Sequence, residues 1–361
     1  MRLYTDAASR RASIVANSEC LVYKENEGNG KMLNNKTILV TGGTGSFGHH
    51  FVNYALKNYV PKKIIIYSRD EFKQFIMENE YKGYSDILRF FIGDVRDEGR
   101  LKRAMNGVDY VIHAAALKQV PACEYNPIEA IKTNVNGAIN VINASLDTGV
   151  KKVVALSTDK SVNPVNLYGG TKLVSDKLFI SANSYSGANG TRFSVVRYGN
   201  VAGSRGSVIP YFKDIIDNGG SELPITDYRM TRFWISLEQG VELVIKALEK
   251  SYGGEVFISK IPSFHITDLA RAMLPECNLL ETGIREGEKL HEIMITKEDS
   301  IRTYEYEKNY IIYPHFDWWN ESMLIKGGRP VTAGFEYSSG TNKEWLDVEE
   351  LKIRLKADVH C

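Results

Sequence analysis

The chain has 361 residues, 43% of them hydrophobic and 25% charged, which suits a globular enzyme with a full apolar core. Its 45 basic and 44 acidic residues leave a net charge of +1, which offers no field for nucleic acid or an anionic membrane, and no apolar run approaches a bilayer-spanning length. Cys20, Cys123, Cys277 and Cys361 lack metal-ligand spacing, so neither a metal site nor a disulfide framework is expected, and reduced thiols fit a cytoplasmic location.

Residues 1–34 are expected to form a disordered or dispensable extension. Ser9-Arg10-Arg11 before Ile14-Val15 faintly resembles a twin-arginine signal, but Asn17, Ser18, Glu19 and Lys24 interrupt the apolar stretch. Glu25–Gly30 is polar and glycine-rich. Met32 would then open the folded part.

Lys36–Val40 reads as a short parallel-type strand. It runs into Thr41-Gly42-Gly43-Thr44-Gly45-Ser46-Phe47-Gly48, and a helix is predicted from about His49. Strand, glycine turn and helix in that order predict a dinucleotide site: glycines let the backbone approach a pyrophosphate, and the helix N-terminus supplies N–H donors. The glycines Gly42, Gly45 and Gly48 are spaced Gly-x-x-Gly-x-x-Gly.

The next strand, Lys63–Tyr67, ends at Ser68-Arg69-Asp70-Glu71, with Lys73 a turn later. An acid at that strand end selects NAD, whereas an arginine suits the extra phosphate of NADP. Ser68, Arg69 and Lys73 favour NADP, unless Arg69 only pairs with Asp70 or Glu71. Leu88–Ile92 leads to Asp94 and Val95, where the acid can meet the adenine amino group. Tyr110–His113 leads to Ala114-Ala115-Ala116-Leu117-Lys118, whose alanines either leave room for a cofactor or merely pack. Strands alternating with helices predict an α/β fold, a Rossmann-like doubly wound parallel sheet.

Val153–Leu156 reads as a further buried strand, ending near Thr158-Asp159-Lys160. Pro164 interrupts any helix there, and Tyr168 and Lys172 follow on a new one. Spacing of i and i+4 puts the phenol and the ammonium on one face, and a cation there favours phenolate. After Val195–Val201 the alternation breaks. A smaller C-terminal substrate-binding domain is expected from 201–235 and 255–361. Residues 35–200 and a helix near 237–250 would form the NADP-binding domain.

These motifs resemble the extended short-chain dehydrogenase/reductase family, and more narrowly its inverting UDP-N-acetylglucosamine 4,6-dehydratases, which begin pseudaminic acid biosynthesis. The resemblance spans roughly Asn35 to the C-terminus. It rests on Thr41–Gly48, Tyr67–Glu71, His113–Pro121, Leu156–Lys172, Val196–Ser207, Pro224–Asp227 with Met230–Phe233, and Gly287–Glu292. It implies a tightly held NADP, a UDP-N-acetylglucosamine substrate and a homo-oligomer, hexamer or dimer.

The resemblance also implies residue roles. Thr158, Tyr168 and Lys172 match the oxidation motif, with Lys172 also holding the cofactor ribose. Asp159-Lys160 stands where retaining dehydratases carry Asp-Glu, the mark of the inverting branch. Lys160 would be the C5 base, deprotonated by desolvation and nearby cations, and Asp159 the acid. Lys118, Asn200, Arg205, Thr226, Arg229, Arg285 and Glu288 would surround the UDP part, although some arginines could only bridge surface loops. Glu286 departs from the family's usual proline, and Ser161 from its usual alanine. Two rivals stay open: another UDP-sugar epimerase or reductase of the family, and a non-catalytic NADP-binding regulator.

Overall fold

The computed structural model of the protein describes residues 32–187, 190–204 and 206–358. The expected extension over residues 1–31, Cys20, Cys361 and Arg205 lie outside the described residues. The compact unit begins at Met32. Leu33 is fully buried in the main core, and the Asn34 side chain accepts a hydrogen bond from the Val60 amide at 2.8 Å.

Apolar, β-branched runs give the strands β1 (Thr37–Thr41), β2 (Lys63–Ser68), β3 (Leu88–Ile92), β4 (Tyr110–His113), β5 (Lys152–Thr158) and β6 (Arg192–Tyr198). They pair in parallel in the order 3-2-1-4-5-6. β1 and β4 are buried along their whole length, as strands covered by helices on both faces must be. The strand order reverses between β1 and β4. In an open α/β sheet that crevice, at the carboxyl ends of the strands, receives the ligand.

The expected division of the chain changes here. Val256–Ser259 joins β6 in parallel, and Asn309–Ile312, Thr303–Glu305 and Arg329–Pro330 extend the same ten-stranded sheet antiparallel. Part of 255–361 therefore belongs with the nucleotide-binding sheet. The reason is burial: Val256-Phe257-Ile258-Ser259 is inaccessible throughout, and the Leu237–Lys250 helix brings the chain back to place it there. A second apolar cluster, including Phe212, Leu223, Ile225, Trp234 and Leu269, gathers what remains. No helix among the described residues is long and apolar enough to cross a membrane.

Candidate active site

The first helix runs Ser46–Asn58, starting three residues before His49. Gly48 thus sits inside its first turn. A Cβ on Gly48 would lie 2.0 Å from the Gly43 carbonyl oxygen, so only glycine lets the helix pack this close to the turn. Gly42 has φ +65°, and a Cβ there would meet the Ala115 backbone at 2.9 Å. The glycine turn and the Ala114–Ala116 stretch therefore form two walls of one narrow cradle. No side chain caps the Ser46 helix at Gly45, which leaves its first amides for an anion. Thr44 hydrogen-bonds Ser68 across the cradle at 2.9 Å. These residues fit a dinucleotide.

Other expected cofactor residues are already engaged. Arg69 lies 3.7 Å from Asp94 and Lys73 2.6 Å from Asp70. Asp94 accepts two hydrogen bonds from the Arg96 guanidinium, at 3.0 and 2.7 Å. Val95 is buried, its side chain where a Cβ on Gly137 would collide at 2.8 Å.

His113, at the end of β4, is buried with Nδ1 2.8 Å from the Thr41 hydroxyl. Burial and the Lys172 charge push its pKa from 6.5 down to about 3. The unfolded chain therefore takes up this proton at a higher pH than the folded one. Stability from this group is full above pH 6.5 and is lost as pH falls from 6.5 toward about 3. We expect a slope of about 1.4 kcal/mol per pH unit from the single proton, read by urea melts. His113→Asn should flatten it, and an equally steep decline in that variant would assign the loss to other groups.

At the end of β5 the chain turns sharply. The Thr158 hydroxyl accepts the Lys160 amide at 3.3 Å, capping a short 3₁₀ turn, and donates to Asp159 Oδ1 at 2.9 Å. Lys160 Nζ donates to Asp159 Oδ1 at 3.1 Å and to Asn200 Oδ1 at 3.0 Å. Glu292 Oε1 lies 3.4 Å from the same nitrogen. Asp159 is fully buried, and its Oδ2 finds no hydrogen-bond partner among the described residues. Asn166 caps the Leu167–Ser181 helix, accepting the Gly169 amide at 2.7 Å, so Tyr168 and Lys172 start a helix as expected.

Charge at this site departs from expectation in two ways. Burial alone would push Lys160 down, but the Asp159 and Glu292 carboxylates outweigh it and hold the amine above its ordinary range. Lys160 is thus an ammonium, not the free amine expected from desolvation. Tyr168 is pushed up to about 12 by burial, partly offset by the Lys160 charge and the Thr158 hydroxyl. Its tuning cation is Lys160. Lys172 is lowered by its own burial and offset by Asp176. Asp159 is raised by burial and by the Glu292 charge, against the pull of Lys160.

The structure brings Thr158, Asp159, Lys160 and Asn200 into contact, with Tyr168 and Lys172 rising beside them. Lys118 joins electrostatically: partial desolvation and the Lys160 charge lower its pKa. The Glu288 carboxylate has a buried oxygen with no hydrogen-bond partner among the described residues. Thr226 is turned to Met230 Sδ at 3.2 Å. Arg285 is exposed. The Arg229 guanidinium forks onto Asp227 at 3.0 and 2.7 Å, and its side chain is 73% exposed.

Sequence reasoning missed several supports. Asn134, in a π-helical turn, accepts the Leu117 amide at 2.8 Å and donates to the Leu117 carbonyl at 2.9 Å and Thr171 at 3.0 Å. It ties the Ala114–Lys118 wall to the Tyr168 helix. Asp176 accepts from Ser157 at 2.6 Å and Ser161 at 3.1 Å beneath the Thr158 turn. The hydroxyl of Ser161, unlike the alanine usual in the family, thus has a partner. Lys289 donates to the Val162 carbonyl at 2.5 Å, and Asn166 to the Gly287 carbonyl at 2.7 Å, strapping the 287–292 loop over the site. Glu292 itself had a signal only in its membership of the Gly287–Glu292 motif.

The pattern of the polysaccharide biosynthesis protein family matches residues 38–314. An inverting UDP-N-acetylglucosamine 4,6-dehydratase of Campylobacter jejuni is 57% identical over 89% of this chain and 97% of its own. A UDP-glucose 4-epimerase of Rickettsia canadensis is 42% identical over 89% of this chain and 95% of its own. Among solved structures, Pen from Bacillus thuringiensis superposes with a TM-score of 0.83 at 36% identity, over 90% of this chain and 98% of that one. The dTDP-glucose 4,6-dehydratase DesIV from Streptomyces venezuelae, solved with NAD, gives 0.62 at 25% identity, over 70% and 86%. With the cradle, the Tyr-x-x-x-Lys helix and the Asp159-Lys160 turn all in place, the chain belongs to the polysaccharide biosynthesis protein family, within the extended short-chain dehydrogenase/reductases.

Proposed function

We propose that the chain is a UDP-N-acetylglucosamine 4,6-dehydratase that inverts C5. The carrying observation is the contact between Asp159 Oδ1 and Lys160 Nζ, 3.1 Å apart in the turn that follows β5. The inverting relative from Campylobacter supports the same reading. Gly42, Thr44, Gly45, Ser46, Phe47, Gly48 and Ala114–Ala116 would hold the dinucleotide. Ser68, Arg69 and Lys73 would suit the extra phosphate of NADP. When bound, the nicotinamide would supply the redox chemistry, a transient oxidation of the hexose at C4 with the same two electrons returned to the sugar.

The chain's own residues handle the protons. Tyr168 would act as phenolate, which the Lys160 charge, the Thr158 hydroxyl and the positive charge of a bound oxidised nicotinamide favour against its burial, and take the proton of the 4-hydroxyl. The new C4 carbonyl acidifies C5–H. One proton moving from Lys160 to Asp159 across their contact turns the ion pair into an amine and a carboxylic acid. The amine takes the C5 proton, and the acid protonates the C6 hydroxyl, which leaves as water. Both side chains are then back as ammonium and carboxylate. Return of the proton held by Tyr168 to C5, on the opposite face, inverts that carbon and leaves Tyr168 as it began. Asn200, Thr226, Arg285 and Glu288 would hold the UDP part, with Lys118 near the diphosphate.

The deciding experiment is proton NMR of UDP-N-acetylglucosamine incubated with the enzyme in deuterated water. A new 6-methyl signal with solvent deuterium at C5 is expected. The Rickettsia relative named as a 4-epimerase motivates the second reading, for which the spectrum would show a galacto sugar and no methyl group.

A further inference from the structure

Glu292 is a buried charge at the site that the mechanism above leaves unused. It is 2% exposed and sits at the start of the Ile293–Ile295 strand. Its backbone is pinned on both sides: the amide donates to Ser339 Oγ at 2.9 Å, and the carbonyl accepts the Ser339 amide at 2.8 Å. The side chain is thereby aimed into the site. Oε1 lies 3.4 Å from Lys160 Nζ and 3.8 Å from Arg232 Nε, and Oε2 lies 3.9 Å from Lys289 Nζ. Oε2 has no hydrogen-bond partner among the described residues.

We propose that Glu292 is a positioning residue for the proton-transfer pair: it holds Lys160 Nζ against Asp159 and sets the pH window over which the two share a single proton. This rests on the dehydratase reading only for the use made of that proton. The argument is electrostatic. A fixed negative charge beside a carboxyl and an amine favours the protonated form of both. The Asp159–Lys160 pair is competent while it holds one proton in total. Below the window Asp159 gains a second, and above it Lys160 loses the last.

The charges facing Glu292 are Lys160 and Asp159 from the turn after β5, Arg232 from the Thr231–Phe233 strand, and Lys289 and His291 from its own loop. Tyr168 and Lys118 face Lys160 from the other side. Burial would raise Glu292, but Lys160, Arg232 and Lys289 hold it low, so it stays a carboxylate through the working range. His291 is lowered by burial and by Arg232, with Nδ1 on Thr231 Oγ1, and adds no charge near neutrality.

The test compares Glu292→Gln with Glu292→Asp in the full chain. In E292Q both limbs of the kcat profile should move to lower pH together, by about one to three units. E292D keeps the charge and should keep the limbs even if kcat falls. A second readout needs no turnover: the pH titration of the Lys160 Cε resonance in lysine-labelled protein, assigned with Lys160→Arg. Its midpoint should drop by the same amount in E292Q and stay in E292D. Unmoved limbs and an unmoved Lys160 titration in E292Q would overturn the proposal, as would an E292D chain that shifts as far as E292Q. Should E292Q not fold, an E292D titration displaced to the pH expected for an uncharged neighbour overturns it, and one that coincides with wild type supports it. If wild-type enzyme makes no deoxy-keto sugar, the dehydratase reading fails while the Lys160 titration still decides the role of Glu292.

Discussion

Lys160→Ala is expected to slow formation of the 6-deoxy-4-keto sugar by about 10²- to 10⁴-fold, the usual worth of one general acid–base group. The loss should fall mainly on C5 and C6. Tyr168, Thr158 and Lys172 stay in place, but Tyr168 loses the Lys160 charge that offsets its burial, so oxidation at C4 should slow and still outrun the C5 step, and the near-ultraviolet absorbance of reduced nicotinamide should accumulate in a single turnover. Solvent deuterium should fail to enter C5. The substitution also strips the ammonium from the fully buried Asp159, which then keeps its proton, since burial and Glu292 already push it that way. A retained C5 exchange rate in this variant would remove Lys160 from the proton step. Loss of C4 oxidation as well would place its main role in holding the Tyr168 phenol reactive.

Gly48→Ala is expected to cost about 3 kcal/mol or more in stability and to abolish cofactor retention. The new Cβ would lie 2.0 Å from a backbone oxygen, at Gly43, and a peptide group in a buried turn cannot rotate aside as a side chain can. Relief requires the Ser46–Asn58 helix to back away from the turn. That opens the cradle at the place where its first amides meet a pyrophosphate. Urea denaturation reads the stability, and equilibrium dialysis of the dinucleotide reads the cradle. Wild-type values in both would mean that the turn adapts without moving the helix.

Much of this protein could be read along the chain because the relevant signals are local. Apolar runs such as Ile64–Ile66 and Val153–Ala155 are strands in any context that buries both faces. The spacing of Gly42, Gly45 and Gly48 marks a turn before a helix, and Asn166 before Leu167–Ser181 caps the helix that carries Tyr168 and Lys172. The Asp159-Lys160 dipeptide stands at a strand end, where the two side chains meet.

Charge state and partnership were decided only by the fold. Lys160 looked like a desolvated amine because its neighbours in sequence do not include Glu292, more than a hundred positions downstream. The fork of Arg229 onto Asp227 is likewise a product of the turn. Residues 256–259 looked like part of a second domain, because nothing local says which sheet edge a buried strand will join. Short-range patterning is set by backbone sterics and the period of each element, which a chain carries with it everywhere. Protonation depends on distances of a few ångströms between residues far apart in sequence, and those exist only once the sheet, the 287–292 loop and the Thr158 turn have closed on one another.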